Sequence, residues 1–204
     1  GEWRLAEEHL RPSVRTYTLR ALDLDSGTMS IDFALHGEGV ASEWALNAKA
    51  GDKIGVAMKG VAKRLFPEAE WFMLVADLSA VPVTSVILET LHAGAIGEAI
   101  IEVPHERNIH TIKTAADVNV TWLVNPTPGK GGSLIEAVKA VRLPEAGISR
   151  FIHAAVEFAV VRELRQYFRH ELALGREEFH GFGYWSFGVA EDASAVERHD
   201  ESHS

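Results

Sequence analysis

The sequence predicts two structural units: a β-rich module with antiparallel strands at residues 1–68, and an α/β domain with a parallel sheet at residues 69–204. Three observations support this fold class. Strict alternation of apolar and polar residues at 29–35 is typical of a strand with one buried face. From residue 71 onward, apolar strands alternate with helical segments, which favours a parallel sheet covered on both faces. An irregular basic stretch, interrupted by Gly60 and Pro67, separates the two patterns.

Composition sets limits on the function. The chain has 204 residues, 47% of them hydrophobic, which is enough for one large or two small domains. It has no cysteine, so disulfides, iron–sulfur clusters and thiol nucleophiles are excluded and any redox chemistry requires a bound cofactor. A net charge of −9 argues against nucleic acids and anionic membrane surfaces as partners. No apolar run reaches the roughly 18 residues needed to cross a bilayer, so we expect no membrane insertion and a cytoplasmic location.

The N-terminal module is predicted to open with a hairpin. Residues 14–22 and 29–35 are strands, and the polar, Gly-bearing segment at 23–27 is the turn between them. Ser42 is predicted to cap a short helix at 43–48, and residues 53–58 form a further strand.

The α/β domain is predicted to start with an uninterrupted apolar strand at 71–76, followed by a helix at 79–91 whose first turn tolerates Pro82. The other predicted strands are 98–103, 118–124, 150–155 and 182–187, and the other helices are 133–141 and 157–172. Residues 129–133 lack the spacing of a phosphate-binding loop, which favours a flexible turn with Ser133 as the helix cap. The histidines are scattered, so no metal site is predicted, and residues 197–204 form a polar tail.

The first predicted strand carries groups suited to a flavin nucleotide. Arg15 and Tyr17 share one face of the segment Arg-Thr-Tyr-Thr-Leu-Arg, and Thr18 lies on the other. A guanidinium holds a diphosphate bidentately, an aromatic ring stacks on a heterocycle, and a hydroxyl binds its edge. From spacing alone, an ordinary barrel strand is the alternative. The helix start at 37–44 adds backbone N–H groups and a helix dipole that attract phosphate.

Three segments in this order resemble the siderophore-interacting proteins, flavin-dependent ferric-siderophore reductases of the ferredoxin-reductase superfamily. They are R-x-Y-T-x-R at 15–20, an alternating strand ending in His-Gly at 31–37, and G-x-A-S-x-W-A at 39–45. The resemblance continues at 76–82, 124–130 and 183–185. It implies a ferredoxin-reductase-like fold, in which an FAD-binding β-barrel precedes an NAD(P)-binding domain. Several barrel strands precede the first motif in that family, whereas fourteen residues precede Arg15 here, so we expect either a partial barrel or a sequence from which barrel residues are omitted.

The resemblance also implies an FAD site. Arg15 would pair with the FAD phosphates, Tyr17 would pack on the isoalloxazine, and Thr18 would hydrogen-bond near its reactive edge. The other implied residues are Phe33, Leu35 and His36, which line the site, and Ala41 and Ser42, whose backbone closes over the diphosphate.

The nicotinamide side is implied by fewer residues. Asp77 lies in the turn after the first α/β strand, although this turn departs from the family's Gly-Asp-Glu-Thr-Ala-Leu-Pro at most positions. Trp185 would lie near the nicotinamide side of the flavin, with a core aromatic as the alternative. Glu102 ends a strand where an acid can bind a ribose hydroxyl, whereas Arg107 can hold a 2′-phosphate, so NADH and NADPH both stay open.

The predicted function is a flavin-dependent NAD(P)H:ferric-siderophore reductase that releases iron from its chelate by reduction to Fe(II). Lys59, Lys63 and Arg64, at the boundary between the two units, would attract the anionic ferric siderophore, with a solvated loop as the alternative. We expect a monomer. Two other functions are compatible with the same scaffold: a non-catalytic flavin or ferric-siderophore binding protein, and a flavin reductase with another acceptor.

Overall fold

An antiparallel hairpin is the first regular element of the structure, a computed structural model that describes residues 12–35, 39–58, 65–130 and 132–188. Strands β1 (Ala21–Asp23) and β2 (Thr28–Ser30) pair with each other. Between them, Asp23 Oδ1 accepts hydrogen bonds from the backbone N–H groups of Asp25 (2.9 Å) and Ser26 (3.2 Å). The predicted hairpin is therefore confirmed.

The predicted strands of this module are too long. Residues 14–20, 31–35 and 53–58 are irregular instead of forming strands. A strand requires a hydrogen-bonded neighbour, and in the described part of the module β1 and β2 pair only with each other. The alternating pattern predicts which residues share a face, but it does not supply a partner strand.

Helix α1 (Val40–Asn47) follows the hairpin. Its N-cap residue is Gly39, with φ 97° and ψ 145°, a backbone conformation that favours glycine. The prediction of Ser42 as the cap is wrong, because the helix begins two residues before it and Ser42 lies within the first turn.

A five-stranded sheet, parallel throughout, forms the centre of the α/β domain. Its strands are β3 (Trp71–Asp77), β4 (Ile96–Val103), β5 (Asp117–Val124), β6 (Arg150–Glu157) and β7 (Phe179–Trp185). The strand order is β5-β4-β3-β6-β7, with β3 at the centre and every one of its residues buried. The predicted parallel sheet is confirmed, and its last strand begins three residues earlier than predicted.

Helices cover both faces of this sheet. They are α2 (Val81–Thr90), preceded by a 3₁₀ turn, α3 (Ser133–Ala140) and α4 (Phe158–Arg165). Phe72 and Leu74 pack on the α2 side, whereas Met73 and Val75 pack on the side of α3 and α4. The helix predicted at 157–172 is divided, because α4 passes into a π-helical turn at Gln166–Glu171. The predicted fold class, an antiparallel module followed by an α/β domain, is confirmed.

An ion pair joins the hairpin region to the α/β domain. The Arg20 guanidinium donates to both carboxylate oxygens of Glu89 on α2, at 2.5 and 2.7 Å. Arg20 also lies 3.9 Å from the Asp32 carboxylate. A bidentate pair fixes direction as well as distance, so it orients the first module against α2.

Candidate functional site

The three motif segments of the first module each contribute one ring to an aromatic cluster. The ring centroids of Tyr17 and Phe33 are 4.5 Å apart, and those of Phe33 and Trp44 are 5.7 Å apart. The structure thus brings together two predicted flavin-site residues and adds Trp44, which the site prediction did not include. Its position within the G-x-A-S-x-W-A motif was the signal for it. Tyr17 is 39% exposed, so part of its ring surface is accessible to a ligand.

The other predicted flavin-site residues lie along the same module. Arg15, Thr18 and Ala41 are half-buried, and Leu35 is exposed. His36 and the predicted substrate-binding residues lie outside the described residues; the latter are Lys59, Lys63 and Arg64.

Ser42 is a buried polar residue at the start of α1. It is 4% exposed, and its hydroxyl has no hydrogen-bond partner in the described part of the chain. A buried hydroxyl left unpaired costs about 1–3 kcal/mol, so a partner from outside the protein is favoured at this position. Phosphate oxygens accept hydrogen bonds, and the first turn of a helix attracts negative charge. The residues here therefore fit a flavin diphosphate.

Three buried carboxylates mark the carboxyl edge of the sheet, where the parallel strands end. Asp77 ends β3, Glu157 ends β6 and Glu102 lies one residue before the end of β4; their exposures are 2%, 4% and 3%. The connections reverse direction between β3 and β6, which makes this a topological switch point. Nucleotides bind in the crevice outside the carboxyl ends of parallel strands at such a point.

The Asp77 carboxylate is surrounded by donors. Oδ1 accepts from the backbone N–H (2.9 Å) and hydroxyl (2.5 Å) of Ser79, and Oδ2 accepts from Trp185 Nε1 (2.7 Å). Burial raises the pKa of Asp77, while these donors and the Glu157 backbone N–H favour its charged form. Burial also raises the pKa of Tyr184, with a smaller contribution from the negative charge of Asp77. Two predicted nicotinamide-side residues, 108 positions apart, thus meet at the switch point.

Glu157 caps helix α4 and anchors the segment after β7. Its Oε2 accepts from the backbone N–H groups of Ala159 (2.6 Å) and Val160 (3.2 Å), and its Oε1 accepts from Phe187 N–H (3.1 Å). The site prediction did not include Glu157. The signal for it was an acid directly after an apolar strand, at the edge where nucleotides bind.

The Glu102 carboxylate is engaged by protein groups. Its Oε1 accepts from Asn125 Nδ2 (3.0 Å) and from the Ser133 hydroxyl (3.2 Å). The prediction that Ser133 caps α3 is therefore wrong. The N-cap residue is Gly132, and no side chain forms a capping hydrogen bond there. Arg107 is exposed in the short 3₁₀ turn after β4. Glu102 ties the end of β4 to the loop after β5 and to the start of α3, which the strand pattern did not indicate.

Comparison with known proteins identifies the family. The model described as "Siderophore-interacting protein" matches residues 69–188, and the model described as "Siderophore-interacting FAD-binding domain" matches residues 1–62. The chain belongs to the siderophore-interacting protein family. The resemblance inferred from its motifs is confirmed, and FAD is the cofactor of its N-terminal domain. The predicted division between residues 68 and 69 stays a prediction.

Two relatives and one solved structure place the chain within the siderophore-interacting proteins. Ferric vibriobactin reductase ViuB of Vibrio cholerae is 33% identical over 200 residues, which span 98% of this chain and 73% of ViuB. The NADPH-dependent ferric-chelate reductase of Escherichia coli is 36% identical over 86 residues, 42% of this chain and 34% of that protein. The crystal structure of SipS from Aeromonas hydrophila superposes with a TM-score of 0.84 at 29% identity, covering 98% of this chain and 79% of SipS.

In the described residues 12–35, 39–58, 65–130 and 132–188, no helix is long and apolar enough to cross a bilayer. Within the same ranges, no group of three or more His, Cys, Asp or Glu side chains is arranged to hold a metal ion.

Proposed function

We propose that this protein is a flavin-dependent NAD(P)H:ferric-siderophore reductase that releases iron from ferric chelates by reducing it to Fe(II). The observation that carries the proposal is the union in one chain of an FAD-binding domain and an α/β domain, matched to the reductase ViuB over 98% of the chain. The ferric-chelate reductases among its relatives confirm the oxidoreductase class predicted from the sequence.

The first module supplies the groups that hold FAD. Arg15 pairs with the diphosphate, the unpaired hydroxyl of Ser42 donates to a phosphate oxygen, and Tyr17 offers its ring to the isoalloxazine. Phe33 backs Tyr17 and limits its rotation, since their rings are in contact. The remaining predicted contacts are those of Thr18, Leu35, His36 and Ala41.

The α/β domain supplies the nicotinamide site. The crevice between the ends of β3 and β6, with Asp77 and Trp185 at its base, is the position where folds of this type take a dinucleotide. Bound FAD supplies the conversion of a two-electron hydride donor into single electrons for Fe(III). The chain's own contribution is to place and orient the reactants. The E. coli relative, named for NADPH, supports a nicotinamide nucleotide as the donor.

The substrate is a ferric siderophore, and its binding is proposed for the boundary between the domains. Lys59, Lys63 and Arg64 would attract the anionic chelate in a chain whose net charge is −9. Reduction to Fe(II) weakens the affinity of the metal for hard oxygen ligands, so release follows reduction. The monomeric state, the cytoplasmic location and the absence of a nucleic-acid partner stay predictions.

Anaerobic mixing tests this function. The FAD-loaded protein is combined with NADH or NADPH and then with ferric chelates of catecholate and hydroxamate type, while flavin absorbance and trapped Fe(II) are followed. We expect the flavin band to bleach with the nicotinamide and to return when the chelate is added, with Fe(II) appearing. A flavin that never bleaches overturns the proposal. Bleaching without any Fe(II) indicates a flavin reductase with another acceptor, and chelate binding without bleaching indicates a non-catalytic binding protein.

A substitution at Arg15 tests the flavin site separately. Arg15→Ala is expected to weaken FAD binding about tenfold or more, because a charge-assisted hydrogen bond to phosphate is lost. Arg162→Ala, which removes an exposed arginine on α4, is the matched control and should bind FAD like the unaltered protein. Equilibrium dialysis with FAD measures both. Equal FAD affinities of the two variants would show that Arg15 does not bind FAD.

A further inference from the structure

We propose that Asp77 is a positioning residue: it holds the Trp185 indole across the nucleotide crevice, and it serves the nicotinamide through Trp185 instead of touching it. The inference rests on the proposed function for the identity of the ligand. The link between Asp77 and Trp185 is a property of the protein alone.

The coordination of Asp77 leaves no room for a ligand. An ionised carboxylate has about four lone-pair positions. Three hydrogen bonds reach the oxygens of Asp77, from the Ser79 backbone N–H at 2.9 Å, the Ser79 hydroxyl at 2.5 Å and Trp185 Nε1 at 2.7 Å, and the Glu157 backbone N–H also favours the charged form. With only 2% of the residue exposed, a bound nucleotide has no free oxygen to reach. Asp77 therefore acts through the groups it holds.

The Trp185 indole is restrained at both of its ends. Nε1 at one end is bonded to Asp77, at the end of β3. At the other end, Cη2 lies against Gly129, where an added Cβ would stand 3.1 Å from Cη2 and 2.8 Å from Glu157 Cγ. Gly129 has φ +75°, so both its conformation and its close approach require glycine. The ring thus spans from the end of β3 to the loop after β5.

The segments around the indole are themselves anchored. Phe187, two residues beyond Trp185, donates its backbone N–H to Glu157 Oε1 (3.1 Å), and Lys130 Nζ lies 3.8 Å from the centre of the Phe187 ring. Trp185 is half-buried, so part of its ring surface stays accessible at the switch point. A fixed aromatic surface receives a planar ring without losing side-chain rotational freedom on binding.

The donor pattern requires Asp77 to accept at every position. Asn in its place keeps the shape but presents an NH₂ group, which cannot accept from the indole N–H or from the Ser79 pair. Asp77→Asn should therefore break the hydrogen bonds of one carboxylate oxygen, either those from Ser79 or that from Trp185, without leaving a cavity. Ser79→Ala is the matched control for the network, because it removes a donor to Oδ1 and leaves the Trp185 bond to Oδ2 in place.

The test begins with the protein free of nicotinamide. The indole N–H signals of its five tryptophans are recorded in nitrogen-15 spectra, and the Trp185 signal is assigned by its loss in Trp185→Phe. We expect this N–H to exchange slowly with solvent in the unaltered protein and in Ser79→Ala. In Asp77→Asn, exchange should be about tenfold faster or more, since a hydrogen bond to a charged acceptor is lost.

Steady-state kinetics then test whether the hydrogen bond between Asp77 and Trp185 affects nicotinamide binding. Asp77→Asn and Trp185→Phe should each raise the KM for NAD(P)H about tenfold, and the double variant should be no worse than either single one, because both act on one ring. Ser79→Ala should leave the KM for NAD(P)H unchanged, since the Trp185 bond to Oδ2 stays in place.

Two results would overturn the inference. One is a Trp185 N–H that exchanges as fast in the unaltered protein as in Asp77→Asn. The other is a KM increase in Asp77→Asn that adds to that of Trp185→Phe, which would show direct contact of Asp77 with the nucleotide. Slow exchange of the Trp185 N–H in a protein that shows no nicotinamide-dependent reduction would instead contradict the proposed function. It would not contradict the inference that Asp77 holds Trp185 in place.

Discussion

The two domains differ in the share of their described residues that is buried. In the α/β domain every residue of β3 is buried, and apolar clusters fill both faces of the sheet. Within the described residues of the FAD-binding domain, Ser42 is the one buried residue, and both hairpin strands are exposed throughout. Burial of apolar surface is the main source of folding free energy. The α/β domain therefore holds nearly all of the buried apolar surface of the described residues, and we expect it to contribute most of the folding free energy.

The strongest test of this contrast is Gly97→Ala in β4. A Cβ at Gly97 would stand 1.9 Å from the backbone oxygen of Phe72 in β3, so the central strands would have to separate. We expect a loss of about 3 kcal/mol or more in the free energy of unfolding. Urea unfolding followed by circular dichroism measures it. Gly55→Ala, in the FAD-binding domain, is the control, because a Cβ there meets nothing within 4 Å. Similar stabilities of the two variants would contradict the contrast.

The second largest expected effect is a loss of folding stability at low pH, caused by protonation of His153 in β6. Burial lowers the pKa of His153 to about 4, with a further contribution from His180, and both ring nitrogens lack partners among the described residues. The unfolded chain binds a proton near pH 6.5, so stability is complete above that pH and falls as the pH drops towards 4. The contribution is about 3 kcal/mol.

The matched variant for this prediction is His153→Leu. It removes the titrating group, so its stability should fall less steeply between pH 6.5 and pH 4 than that of the unaltered protein. Comparing the two slopes separates His153 from carboxylates such as Asp77, whose pKa is also shifted. Parallel slopes would show that His153 does not titrate as its burial implies.

The smallest expected effect concerns the contact between the domains. Glu89→Gln removes the charge that holds Arg20, and the side chains of this pair are 27% and 32% exposed. We expect a loss of less than about 1 kcal/mol in stability, together with faster amide hydrogen exchange in β1 and β2. Asp32→Asn is the control, since its carboxylate lies at 3.9 Å and is 56% exposed. Equal exchange rates in the two variants would show that Arg20 and Glu89 do not orient the hairpin.

The periodic elements of the α/β domain could be predicted from the sequence. The run at 71–76 has too many consecutive apolar residues for a half-exposed strand, which is why it predicted a strand buried on both faces, as observed. The hairpin strands could not be delimited in the same way. Alternation at 29–35 reports which side chains share a face, whereas the length of a strand depends on a partner supplied by the rest of the fold.

The caps were missed for a related reason. Ser42 and Ser133 both stand near helix starts, and serine is a common cap, but the observed N-cap residues are Gly39 and Gly132. The Ser133 hydroxyl is directed to Glu102, 31 residues away in sequence. A local pattern contains no information about such a competing partner.

The order of residues alone thus determined the family motifs, the succession of the two domains and the parallel sheet, because each depends on spacing within a short segment. Tertiary structure decided which of the selected residues meet. Asp77 and Trp185 are separated by 108 positions, and only the arrangement β3-β6-β7 brings the indole N–H to 2.7 Å from the carboxylate. The unpaired hydroxyl of Ser42 likewise emerges only when α1 is packed, since burial is a property of all the segments around it.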